Sequence, residues 1–137
     1  MANRIYPLFK QALMSSAIGV DLVSGSCAAM LIDTEEYTFS AADQWRSDVS
    51  ASAVIAISSE IDAGKRTVAS GVFDCSTVTW VSVTGDQAEA IIFFVDSGSA
   101  DASRLVCYLD TGQTGLPVTP NGGDITFTPS SVGVFAL

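Results

Sequence analysis

Apolar residues fall into short runs separated by polar breaks marked with Gly, Pro, Ser and Asp, and the densest stretch is Gly71–Asp110. Val78–Val83 is rich in β-branched and aromatic residues and stops at Thr84-Gly85-Asp86. Ala88–Val95 is almost unbroken in its apolar character, the pattern of a strand covered on both faces. The Asp96–Ser103 cluster reads as a turn, and Arg104–Leu109 follows as the next strand. The pattern predicts a central meander of three strands.

Tyr6–Ser16 is the best helix candidate, because Leu8, Phe9, Ala12 and Leu13 recur at helical spacing and Pro7 is tolerated in a first turn. Ser26–Asp33 reads as a buried strand. Ser40 and Asp43 are placed to cap a short helix running through Trp45. Asp48–Ser52 is a loop. Ala53–Ser58 and Arg66–Phe73 form an expected hairpin across the Asp62–Lys65 turn. Thr111–Asp124 holds four glycines together with Pro117 and Pro120, and reads as a long constrained loop. Ile125–Thr128 and Val132–Leu137 complete the strands. The expectation is one mainly β domain over residues 1–137: an antiparallel β-sandwich or barrel, jelly-roll-like, with one or two short helices. Residues 1–20 are either a helix packed on the sheet or an N-terminal arm that docks on a neighbour.

Composition narrows the class. At 137 residues the chain suits one domain with one core. An apolar content of 48% against 15% charged excludes a disordered chain and suggests that a partner covers some apolar surface. The net charge of −9 lacks the electrostatic footprint for phosphate backbones or anionic lipid surfaces, so neither nucleic acid nor membrane is an expected partner. No apolar run reaches membrane-spanning length, and Pro7, Lys10 and Gln11 interrupt the start in a way a signal peptide would not tolerate, so synthesis in a cytosol without an export tag is expected. Cys27, Cys75 and Cys107 sit in apolar contexts and read as buried, reduced thiols.

Candidate chemistry is sparse. The chain has no His, which excludes His-based zinc sites and leaves Ser nucleophiles only Lys10 and Lys65 as bases, neither in a recognisable motif. Asp110-Thr111-Gly112 after an apolar strand resembles the catalytic loop of aspartic proteases, where two such carboxylates share a proton; one copy would need a homodimer. The alternative is a strand end entering a turn. Asp33, Glu35 and Glu36 form an acidic cluster, and Asp96–Asp101 places oxygens in a loop; solvated turns account for both. Gly64-Lys65 lacks the rest of a phosphate loop. Trp45 and Trp80 read as core or interface anchors, with a sugar platform as the alternative. Neither an enzymatic role nor a cofactor is expected.

Several blocks resemble a family of small structural proteins of tailed bacteriophages. They are Arg4–Leu13 (Arg-Ile-Tyr-Pro-Leu-Phe-Lys-Gln-Ala-Leu), Ala28–Thr34, Tyr37–Ala42, Phe73-Asp74, Val83–Ala90, Ser103–Leu105 and Gly115–Asp124. The last, Gly-Leu-Pro-Val-Thr-Pro-Asn-Gly-Gly-Asp, is the most specific. The resemblance implies a virion protein assembled in a host bacterial cytoplasm. The expected role is a non-enzymatic capsid decoration (cement) protein that binds the assembled head. A neck, head–tail connector or tail-fibre component is the alternative, and a host-surface carbohydrate-binding module a more distant one. The expected partners are the major capsid protein or other virion proteins, together with further copies of the chain, a trimer being favoured. Tyr6, Phe9, Trp45, Leu116, Pro117 and Asn121 are the expected contact residues.

Overall fold

Every residue from Ala90 to Val95 is buried, and the architecture follows from covering both faces of that one strand. Burial of each large side chain in it contributes about 1.5–3 kcal/mol. The computed structural model describes residues 3–137. In chain order its elements are β1 (Arg4–Ile5), α1 (Pro7–Met14), β2 (Ser26–Ile32), β3 (Val54–Ile57), β4 (Arg66–Ala69), β5 (Val72–Cys75), β6 (Val78–Trp80), β7 (Ala90–Asp96), β8 (Arg104–Leu109), β9 (Ile125–Phe127) and β10 (Phe135–Ala136). The main sheet is antiparallel with order β1-β8-β7-β2-β3; two smaller sheets have orders β10-β5-β4 and β6-β9. The protein is therefore mainly β, as expected. The main sheet is open, with β1 and β3 as its edges, and no barrel closes.

Register explains the layering. Phe93 pairs with Ala29 and Cys107, and Ile92 with Met30 and Tyr108, so the two residues point to opposite faces. On the Phe93 face, Phe73 of β5 and Phe127 of β9 each approach Phe93 edge-on with ring centroids 6.3 Å apart. The small sheets thus lie over that face. Trp80 is buried there and donates its indole N–H to the Ala29 carbonyl at 3.0 Å, which satisfies its one polar atom. On the opposite face, Tyr108 packs against Tyr37 and Phe39 from the segment between β2 and β3, and Arg46 lies over the Phe94 ring. Tyr6 stacks on Phe39 and its hydroxyl meets that of Tyr37, which donates to Asp43 at 2.7 Å. Burial pushes the ionisation of both tyrosines well up and raises that of the Asp43 carboxyl.

Four local expectations change. The meander loses its first strand: β6 pairs with β9, because the chain turns at Ser82 and Gly85, both at positive φ, and Val83 exchanges hydrogen bonds with Gly122 and Gly123. Arg66–Phe73 is not one strand. Ser70 and Gly71, at φ 52° and 78°, make a two-residue turn with both residues in the left-handed region, whose twist matches the right-handed twist of the flanking strands, so β4 pairs with β5. Released from that pairing, β3 adds to β2 at the edge of the main sheet. The helix expected from Ser40 through Trp45 is replaced by a short 3₁₀ turn at Arg46–Asp48, where the Asp48 carboxylate accepts from the amides of Gln44 and Trp45. Asp43 is committed to Tyr37 instead.

Residues 3–20 are integrated rather than free as an arm. β1 pairs with β8, and α1 buries Phe9 and Ala12. Met1 and Ala2 of the expected arm lie outside the described residues.

All three cysteines are free and buried. Desolvation pushes the Cys75 thiol up to about 12 and Cys107 higher still, leaving little thiolate at neutral pH. The folded protein is expected to resist an aromatic disulfide thiol reagent at pH 8 and to yield three reactive thiols once denatured. Rapid modification of the native protein would show the thiols to be accessible.

Candidate docking surface

Met14 at the end of α1 and Val23 in the segment after it gather with Val68 of β4 and Leu137 at the C-terminal end on one side of the molecule. Met14 is 82% exposed, Leu137 67%, Val68 53% and Val23 41%. Two grooves join them. One, of about 480 Å³, is lined by Ile5, Lys10, Leu13, Met14, Ala136 and Leu137. The other, of about 280 Å³, runs past Leu13, Val20, Asp21, Val23, Val68 and Leu137. They share Leu13 and Leu137, so the two grooves adjoin.

Local sequence fixes each wall. α1 ends in a double-bonded C-terminal turn: Ser16 N–H donates to the Leu13 carbonyl and Ala17 N–H to that of Ala12, with Ser16 in the left-handed region at φ 53°. Two arginines then hold the following segment down. Arg104 donates from Nε to the Ile18 carbonyl at 2.9 Å while stacking on Trp45 at 4.6 Å, and Arg66 donates from Nη1 to the Leu22 carbonyl at 2.9 Å. Arg66 also approaches Glu60 at 3.5 Å. Asp21 closes the loop on itself by accepting from the amides of Val23 and Ser24 and from the Ser24 hydroxyl. Those bonds hold its carboxyl below the ordinary value of 3.8. On the far wall, Leu137 N–H bonds to the Gly71 carbonyl.

A third groove, of about 520 Å³, opens beside these between the outer edges of β1 and β10 and is lined by Arg4, Ile5, Lys10, Phe39, Leu109 and Phe135 among others. Tyr6 N–H bonds to the Val106 carbonyl, and Ile5 is the alternate residue opposite Cys107; its own N–H and C=O therefore point away from β8. Of the six basic residues, Arg66 and Arg104 are buried and Arg46 is half-buried; Arg4, Lys10 and Lys65 are exposed. Two of the three exposed bases thus stand at this one place on an acidic protein.

The expected contact residues do not form one surface. Tyr6 and Phe9 are 0% and 1% exposed, so they are corrected from docking residues to core residues: their rings are spent on Phe39 and on the sheet under α1. Trp45 is half-buried, with one face taken by Arg104, at the Val95 end of the β7–β8 pair. Leu116, Pro117 and Asn121 lie toward the opposite end, where Val118 bridges to Ala88. Pro117 is exposed after a cis bond, Leu116 packs half-buried on the core, and Asn121 Oδ1 accepts from Gly123 N–H to close its own turn.

The acidic candidates are also local. The Asp33 carboxylate accepts from Glu35 N–H, and the Asp96 carboxylate from Gly98 N–H and Ser103 Oγ. Asp110 accepts from the Thr111 hydroxyl, and the amides of both residues donate to Asn3 Oδ1, which ties the end of β8 to the start of the described chain. Burial, and after it the neighbouring Asp110, push the ionisation of Tyr108 up to about 12. Among the described residues no group of three or more His, Cys, Asp or Glu side chains is placed to hold a metal ion, and no helix is long and apolar enough to cross a membrane.

The chain matches no protein-family model and no curated protein sequence.

Two outcomes test this construction. Ser16→Gly removes the cost of a side chain at positive φ and is expected to stabilise the fold by about 0.5–1 kcal/mol in urea titration; no gain would mean that this turn is not held as described. Asp21→Asn is expected to lower stability at neutral pH. Because the folded carboxyl lies below its ordinary 3.8, the wild-type advantage is present above that value and disappears as pH falls through the folded pKa. Thermal melts of both proteins between pH 7 and pH 2 should therefore converge at the acid end, and a constant gap would refute the loop-capping role.

Proposed function

We propose that this is a non-enzymatic structural protein of a tailed-bacteriophage particle, acting as a capsid decoration protein that binds and stabilises the assembled head. The observation that carries the contact role is the concentration of features on one side: adjoining apolar grooves, two open sheet edges and two of the three exposed bases. Contiguous exposed apolar surface, rimmed by polar groups, is what a protein partner covers. An open strand edge adds backbone donors and acceptors for an extended segment. The particle assignment is supported by the residue blocks that resemble small phage structural proteins along nearly the whole chain.

In this reading Trp80 is part of the core and Trp45 is a packing platform for Arg104. Trp80 has no free face for a sugar ring, and one face of Trp45 is taken by Arg104. The acidic remainder of the surface suits neighbours with basic patches and keeps unassembled copies soluble.

The test is the copy number in purified particles, by quantitative mass spectrometry against the major capsid protein. Hundreds of copies are expected for a protein spread over the head lattice. Six to a few dozen would place it at the neck or tail, and absence from clean particles would overturn the virion reading.

A further inference from the structure

The charge along the apolar depression is arranged in a particular way. Of the two grooves that share Leu13 and Leu137, one is lined by Lys10 and not Asp21, the other by Asp21 and not Lys10. Both charged residues are exposed. A twofold axis through the shared Leu13–Leu137 region would bring Lys10 of one copy against Asp21 of the other, twice, while Met14, Val23, Val68 and Leu137 of both copies cover one another. Self-docking through one patch requires a self-complementary surface, and opposite charges at its two ends meet that requirement. The chain otherwise opposes its own association, since each copy carries −9. A homotypic contact therefore needs a base where the copies meet, and Lys10 is one of the three exposed bases. The carboxylate opposite it is fixed in place by three hydrogen bonds and held ionised.

We propose that the occupant of the apolar depression is a second copy of this chain, in an isologous dimer with Lys10–Asp21 pairs at its two ends. The contact is a twofold pair, in place of the trimer that the phage resemblance favours. It does not depend on where the protein is found. It leaves part of the adjoining groove between β1 and β10 to another partner.

Sedimentation equilibrium of the purified full chain tests it. The wild type is expected to reach a dimer with rising concentration. Lys10→Glu and Asp21→Lys should each weaken the dimer about tenfold, and the double variant carrying both should recover most of that loss, because the pairs re-form with reversed sign. Met14→Asp and Val68→Lys, both at exposed positions, should leave monomers with an unchanged far-ultraviolet circular dichroism spectrum. Lys10 is an exposed helix position, so the charge test also stands on Lys10→Gln, whose fold is not at risk; it should weaken the dimer less than Lys10→Glu does. A wild type that stays monomeric, or that forms trimers, overturns the proposal. So does a dimer indifferent to the single charge changes, or one that the double variant fails to restore.

Discussion

The fold depends on one constraint: a strand apolar on both sides has to be roofed on both sides. β7 carries consecutive large side chains at Ile91–Val95, and water can be kept from them only by two separate coverings. The Phe73 and Phe127 rings supply one by bringing the small sheets over Phe93. The segment between β2 and β3 supplies the other, with Phe39 and Tyr37 over Tyr108. The second covering is irregular, so its polar atoms need partners. Tyr6, Tyr37 and Asp43 form a hydrogen-bonded chain, and Asp48 takes the two amides at the next turn. Leaving the Tyr6 or Tyr37 hydroxyl unpaired in the interior would cost about 1–3 kcal/mol.

The same economy of polar groups shapes the docking side. The chain places two of its few cations inside, where Arg66 and Arg104 bond to backbone carbonyls of the segment after α1. Those are charge-assisted bonds in a shielded setting, stronger than neutral ones. They fix a segment that has no regular structure of its own, and that segment carries Asp21 and Val23 at the surface. Core packing and presentation of the outer face are therefore linked: the arginines that anchor the segment belong to β8, a strand of the main sheet, and to β4, in the small sheet whose Phe73 packs on it.

What could be read in the sequence follows the range of the interactions involved. β7, β8, β2 and α1 are legible because their patterns are local and strong. The hairpin of β4 and β5 was within reach, since Ser70-Gly71 is a turn signal inside the run Arg66–Phe73, but the apolar character around it suggested continuity. The pairing of β3 with β2, and of β6 with β9, is set by long-range competition for edges, which no local pattern encodes. Tyr6 and Phe9 sit at helical spacing, which marks a buried face as well as a docking one; the structure assigns them to burial. The docking surface itself joins Lys10, Asp21, Val68 and Leu137, which are scattered along the chain, and their single-residue exposures carry no sequence signal. Asp21-Leu-Val-Ser24 was the one available clue, as an acidic residue poised to close a turn on Ser24.

The central claim is that contact with other proteins is made through the side formed by β1, α1 and the C-terminal strand, and not through the Gly- and Pro-rich loop. Hydrogen–deuterium exchange read by mass spectrometry, comparing the free chain with the chain on purified particles, tests it most directly. Slowed exchange is expected on the particle at residues 3–5 and 134–136, beside the groove that the dimer leaves open, with residues 111–124 unchanged. Slowed exchange confined to residues 111–124, with the β1–α1 side unaltered, would contradict it.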